Sequence, residues 1–306
     1  MQKRKLGKSG LEIAPLVLGG NVFGWTADKP TSFAVLDAFL DAGFNAVDTA
    51  DVYSSWVPGH VGGESEAVIG DWMKERGNRD RVALITKVGF TKGLKSDYIL
   101  SAVEDSLKRL MTDRIDLYFS HKPDPATPIE ETLEAHQKLL DAGKIRAVGG
   151  SNYDAVGLKD ALEKSGGKRA RYTVLQPHYN LLVRDQYEGA LENLCVREGL
   201  GVIPYFALAS GFLTGKYRSE ADLGKSARGG GMKKHFNERG LKILTALDQV
   251  SKAHNATPAQ AALAWLMARP SVTAPIASAT SVAQLKELAP AASLKLTAED
   301  MKALDL

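Results

Sequence analysis

Cysteine is nearly missing from this 306-residue chain. With Cys195 alone, no intrachain disulfide can form, and nothing argues for an oxidising compartment. Cys195 follows Leu191 and Leu194 at helical spacing, which reads as core filler. Long apolar runs are also missing: none approaches the ~20 residues of a membrane helix. The basic N-terminus, Met1 to Gly7, lacks the apolar stretch of a secretory signal, so a cytoplasmic protein is expected. A large excess of either charge is missing too. Lys and Arg number 39 against 36 Asp and Glu, a net +3 that argues against a nucleic-acid surface yet allows a local basic pocket. His60, His178, His235 and His254 stand at no metal-ligand spacing, so no metal is expected.

What remains is ordinary globular composition, 44% hydrophobic and 25% charged, with no linker or compositional break. A single domain over residues 1–306 is expected. Lys3 to Leu6 and Leu11 to Ile13 flank Gly7-Lys8-Ser9-Gly10 and read as a hairpin. Thereafter short apolar strands alternate with amphipathic helices. The strands are Leu16–Leu18, Ala46–Val47, Val82–Thr86, Ile115–Ser120, Ile145–Val148, Tyr172–Leu175, Gly201–Pro204 and Val272–Ile276. A long irregular segment at 206–237 interrupts the alternation, and Ala298–Leu304 forms a helical tail. Strict alternation favours a parallel sheet. Eight such units favour an α/β chain closed as a (β/α)8 TIM barrel. An open dinucleotide-binding sheet would need a G-x-G-x-x-G turn, which Gly19-Gly20-Asn21 does not supply.

In such a barrel the chemistry lies at the C-terminal ends of the strands. Those ends carry Asp48 (with Tyr53 just beyond), Lys87, His121, Ser151-Asn152, Gln176 and Tyr205. Singly, each has a bland reading as a helix cap, turn residue or surface charge. Jointly they converge on one rim. A phenol titrates near ~10, and a neighbouring Lys87 is expected to lower that value. Asp48 would hold Lys87 charged, and His121 could orient a carbonyl oxygen. This set has no hydride or carbon nucleophile, so a cofactor is implied.

Asp48-x-x-x-x-Tyr53 with Lys87 and His121 resembles the tetrad of the aldo-keto reductases. The resemblance continues through Gly149-Gly150-Ser151-Asn152, through Gln176-Pro177-His178-Tyr179-Asn180-Leu181-Leu182, and through Tyr205 to Lys216. It implies reduction of an aldehyde or ketone by NADPH, with NADH as the alternative, or the reverse oxidation. By the same resemblance Tyr53 is the general acid, tuned by Lys87 and Asp48, and His121 positions the carbonyl. Ser151, Asn152 and Gln176 would hold the carboxamide, and Tyr205 would stack on the nicotinamide. Gly20, Asn21, Gly211, Lys216, Ser278, Thr280 and Gln284 complete the expected cofactor site.

At Ser278-Ala279-Thr280, hydroxyl and small residues replace the glycine and the basic residue that commonly read a 2′-phosphate in the family. Lys216, Arg218 or Arg228 from the long loop could supply that charge. Trp25 and Trp56, in loops beyond the first strands, are the expected substrate contacts. The partner implied is a small carbonyl or alcohol substrate, with no nucleic acid or membrane. Two other readings share the fold: a regulatory subunit resembling potassium-channel β subunits, and a barrel aldolase using Lys87 as a Schiff base.

Overall fold

A computed structural model describes residues 1–225 and 229–306. Strands β1 (Arg4–Lys5) and β2 (Glu12–Ile13) form the antiparallel hairpin. Helix α1 (Lys29–Asp41) follows strand β3 (Val17–Gly19), and α2 (Glu64–Arg76) follows β4 (Ala46–Asp48). Next come β5 (Ala83–Val88) with α3 (Ser96–Leu110), and β6 (Ile115–Ser120) with α4 (Ile129–Asp141). The alternation continues with β7 (Ile145–Ser151), α5 (Ala155–Glu163), β8 (Val174–Gln176), α6 (Ala190–Glu198) and β9 (Gly201–Val202). The segment expected to be irregular carries three short 3-10 turns, Ala209–Thr214, Glu220–Lys225 and Gly229–His235. It leads into α7 (Glu238–Ala253) and α8 (Pro258–Ala268), then β10 (Ile276–Ala277), α9 (Val282–Leu288) and α10 (Ala298–Leu304).

The eight strands β3 to β10 pair in parallel in one sheet, with β10 beside β3. Closure at the other seam comes from backbone bonds between the segments around β9 and β10. Thr273 N donates to Val202 O at 2.8 Å, and Ile276 N donates to Pro204 O at 2.9 Å. The sheet is thus a barrel, as the alternation predicts. Helices α7 and α10 pack on one another outside the strand–helix alternation. Among the described residues, no helix is long and apolar enough to cross a membrane.

Period-2 alternation divides the strand residues between two cores. Val17, Ala46, Ile85, Leu117, Phe119, Ala147, Val174, Ile203 and Ile276 meet inside the barrel. Leu18, Val47, Leu84, Tyr118, Val148, Leu175 and Val202 face outward into the helical layer. Leu6, Leu11 and Ile13 belong to the inner cluster, so the hairpin plugs the end at which the strands begin. The inner positions then read forward in steps of two toward the other end. Ala46 leads to Asp48, Ile85 to Lys87, Phe119 to His121, Val174 to Gln176, Ile203 to Tyr205 and Ile276 to Ser278. Strands β4, β5, β7 and β8 run one to three residues beyond the predicted apolar stretches and take these polar positions into the sheet.

Helix ends follow local chemistry. Asp28 caps α1 by accepting from Thr31 N at 2.9 Å, and Thr257 and Gln260 form a reciprocal capping box on α8. Gly149, inside the barrel, has a different reason for lacking a side chain. A Cβ there would come within 2.3 Å of the Phe119 ring and 2.8 Å of the Val174 carbonyl oxygen. Gly149→Ala should therefore overpack the barrel and cost about 1–3 kcal/mol, read as a lowered urea midpoint at unchanged m-value. An unchanged midpoint would show that the barrel interior has slack.

Candidate functional site

Asp48, His121, Gln176, Tyr205 and Ser278 border a cavity of about 1060 Å³ at the C-terminal end of the barrel, and Lys87 lies beneath them. At its floor, Lys87 is wholly buried and donates three hydrogen bonds. These go to Asp48 Oδ2 at 2.7 Å, the Thr49 carbonyl at 2.7 Å and Tyr53 Oη at 3.0 Å. Three oxygen acceptors around one nitrogen suit an ammonium. Burial pulls the Lys87 pKa below its ordinary value, and the adjacent Asp48 carboxylate opposes that pull. The second Asp48 oxygen accepts from Gln176 Nε2 at 2.9 Å. Both Asp48 oxygens are thereby engaged, and Gln176 keeps its own side-chain oxygen as an acceptor.

Tyr53 stands half-buried over this pair, its hydroxyl 3.5 Å from Asp48 Oδ2. Burial first, and then the Asp48 carboxylate, push its pKa well above the ordinary phenol value. This corrects the expectation that Lys87 lowers it. Desolvation and the Asp48 carboxylate outweigh the lysine, although the lysine nitrogen is the closer group, so the phenol holds its proton firmly.

His121 lies 6.0 Å from the Tyr53 ring, centroid to centroid, and packs against Phe90 at 4.8 Å. Burial, helped by Lys87 and Lys122, lowers its pKa to about 2, so it is a neutral imidazole at ordinary pH. Its Nδ1 is buried without a hydrogen-bond partner, a polar valence left over beside the cavity.

Ser151 Oγ donates to the Gln176 carbonyl at 3.0 Å, fixing β7 to β8. Asn152, left-handed at φ 62°, has both ends of its amide engaged. Nδ2 donates to the His121 carbonyl at 2.8 Å, and Oδ1 accepts from Tyr205 Oη at 2.6 Å. Asn152 is thus a strut between His121 and Tyr205, where a free carboxamide ligand was expected. At the far end, Ser278 Oγ donates to Asn21 Oδ1 at 2.6 Å. Gln284 Oε1 accepts from Thr280 N at 2.9 Å and from its hydroxyl at 3.0 Å. Gly211 and Lys216 also line the cavity.

Several expected residues move. Gly19, not Gly20, borders the cavity, because 19 is the inward position of β3; Gly20 instead abuts Ser65 and the Asp48 backbone. Trp56 lines the cavity, while Trp25 stands behind it with its ring edge-on at 5.6 Å. Arg218 is held by Asp248 through two 2.7 Å contacts and is not part of the lining. Arg228 lies outside the described residues. Sequence reasoning missed Lys225, Phe90 and Phe206, all of which line the cavity. Of these, the two phenylalanines carried a readable signal: each lies two residues or fewer beyond a strand end or a strand-end tyrosine.

The described Trp and Phe side chains that are exposed, Trp56, Phe90 and Phe206, all border this one cavity. Among the described residues, no group of His, Cys, Asp and Glu is arranged to hold a metal ion.

The depressed His121 pKa has a stability consequence. The unfolded chain binds a proton near pH 6.5 that the folded chain refuses until about pH 2. Stability is therefore lost as pH falls through that window, by about 1.4 kcal/mol per pH unit for this one group. His121→Asn should flatten the dependence of unfolding free energy on pH between 6 and 3 by about that slope. An unchanged slope would show that His121 titrates normally.

The sequence profile of the Aldo/keto reductase family matches residues 15–306. Similar relatives include an aldo-keto reductase of Bacillus subtilis, YhdN, 33% identical over 99% of this chain and 92% of the relative. Norsolorinic acid reductase of Aspergillus flavus is 31% identical over 97% of this chain and 78% of its own length. A probable voltage-gated potassium channel subunit beta of Arabidopsis thaliana is 32% identical over 94% of this chain and 90% of its own. With the profile matching nearly its whole length and a relative 33% identical over almost all of both chains, this chain belongs to the aldo/keto reductase family.

Proposed function

We propose that the protein reduces an aldehyde or ketone to an alcohol with a nicotinamide cofactor, or runs the reverse oxidation, with Tyr53 as the proton donor. The observation that carries this reading is the buried Lys87–Asp48 pair with the Tyr53 hydroxyl 3.0 Å from the lysine nitrogen. Bound nicotinamide would supply the hydride. The donor set suits such a cofactor: hydroxyl and amide groups of Ser151 and Gln176, the face of Tyr205, and a cavity long enough to reach Ser278 and Thr280.

The residues divide the remaining work. Neutral His121 offers a hydrogen bond to the carbonyl oxygen without bringing a charge. Tyr53, protonated in the folded protein, gives its proton to that oxygen as negative charge develops on it. Lys87 then faces a phenolate and stabilises it through the hydrogen bond it already makes. Asp48 keeps the lysine an ammonium, which argues against a Schiff-base role, since an amine nucleophile must be neutral. Trp56, Phe90 and Phe206 favour a planar, apolar carbonyl compound. Localisation in the cytoplasm fits a chain with a single buried cysteine.

Tyr53→Phe should abolish turnover of a reactive aromatic aldehyde while leaving cofactor affinity within a few-fold of wild type. Turnover surviving in the variant would remove Tyr53 from its role. A second reading keeps its place because relatives include a protein named probable voltage-gated potassium channel subunit beta and another named putative voltage-gated potassium channel subunit beta. It foresees tight cofactor binding by the wild type with negligible turnover across a broad carbonyl panel.

NADPH is the proposed cofactor, with NADH as the alternative, and the cation for the extra phosphate comes from the long loop. Lys225, which donates to the Lys216 carbonyl at 3.1 Å and pairs with Asp222 at 2.8 Å, lines the same cavity as Lys216 and Thr280, which Arg218 does not. Lys225→Ala with Lys216→Ala should cut the preference for NADPH over NADH by about tenfold, the worth of one charge-assisted contact. An unchanged preference would place phosphate recognition elsewhere.

A further inference from the structure

The segment Gln176 to Leu182 contains a histidine that the mechanism above does not use. His178 is backbone-paired with Tyr205. Its imidazole lies nearly parallel to the Tyr205 ring, 14° between planes and 5.2 Å between centroids. Tyr205 lines the cavity and His178 does not, so the imidazole covers the ring face turned away from it. Three further contacts hold the tyrosine. Its hydroxyl donates to Asn152 Oδ1 at 2.6 Å, its N–H donates to the Pro177 carbonyl at 3.0 Å, and Phe206 stands edge-on at 5.1 Å. Phe206 is itself left-handed at φ 53°, and its carbonyl accepts from Asn180 Nδ2 at 2.9 Å. The outcome is a rigid aromatic shelf with a titratable ring as its lower layer.

We propose that His178 is a positioning residue for cofactor binding: it backs Tyr205, and its charge state selects between the oxidised and reduced forms of the nicotinamide. The proposal rests on the reading that Tyr205 stacks on that ring. Oxidised nicotinamide is a cation and the reduced ring is neutral. A proton on His178 places positive charge under Tyr205 and repels the oxidised form alone. By reciprocity, the oxidised form disfavours that proton.

The groups facing His178 come from two places. Gln186 and Asp185, from the connection that follows it, favour the imidazolium; Lys234, from the 229–235 turn, disfavours it, and His235 of that turn also lies near. Burial outweighs them and lowers the pKa, so His178 is neutral near pH 7 and takes its proton only below the ordinary histidine range. His121 titrates near 2 and stays silent over that range. Ionisation of a cofactor phosphate acts on both redox forms alike and cancels in their ratio.

Dissociation constants for NADP+ and NADPH, measured by quenching of tryptophan fluorescence from pH 8 down to pH 4.5 on the whole chain, test this directly. In the wild type the ratio of oxidised to reduced constants should rise about fivefold toward acid pH, as expected for two unit charges either side of one ring. His178→Phe keeps a flat ring and should hold the ratio level with pH. His178→Ala removes the backing and should weaken both forms at every pH. A ratio that rises equally in His178→Phe would overturn the charge selection, and full affinity in His178→Ala would overturn the positioning role. Failure of the wild type to bind either form would instead overturn the cofactor reading beneath it.

Discussion

The buried pair of Lys87 and Asp48 is the interaction on which the rest of the site depends. Taking two charges out of water costs several kcal/mol for each ion, and their attraction repays this only with further hydrogen bonds in place. Here the repayment is visible atom by atom. The lysine reaches a carboxylate, a carbonyl and a phenol, and the second carboxylate oxygen takes the Gln176 amide. The pair therefore joins β4, β5 and β8 across the barrel mouth. It also fixes Tyr53 over the cavity floor. Loss of one partner would leave the other charge uncompensated, so structure and chemistry are constrained together at this point.

Much of this arrangement was legible because a barrel strand obeys period 2. An apolar inner residue followed two positions later by a polar one marks a strand that leaves the packed interior for the open end. That rule alone locates Asp48, Lys87, His121, Gln176, Tyr205 and Ser278. It also explains the correction from Gly20 to Gly19, since the outward position cannot face the cavity. The strands β9 and β10 are two residues each, yet their flanks close the barrel through Val202, Pro204, Thr273 and Ile276.

What escaped the sequence depends on loop paths and on competition between neighbours. Trp25 and Trp56 are equally eligible as letters, and only the fold of the loop puts one ring in front of the other. Arg218 has the right charge, but Asp248 holds it. Lys225 carries no motif. The Tyr53 shift went the other way because burial and Asp48 act against Lys87, a balance that depends on distances. Around the mouth, Asn152, Phe206 and Ser210 all adopt left-handed backbone. Such strain persists where surrounding bonds over-determine it, and it gathers at functional sites. Asn180, holding the Phe206 carbonyl, is one of the groups that do so.

The most direct test of the account follows an isotope. The protein would be given an aromatic aldehyde and NADPH carrying deuterium at the transferable position of nicotinamide C4, and the product examined by mass spectrometry. The account predicts an alcohol with one deuterium on the carbinol carbon, formed by the wild type and not by Tyr53→Phe. An unlabelled alcohol, or equal labelling by the variant, would contradict it.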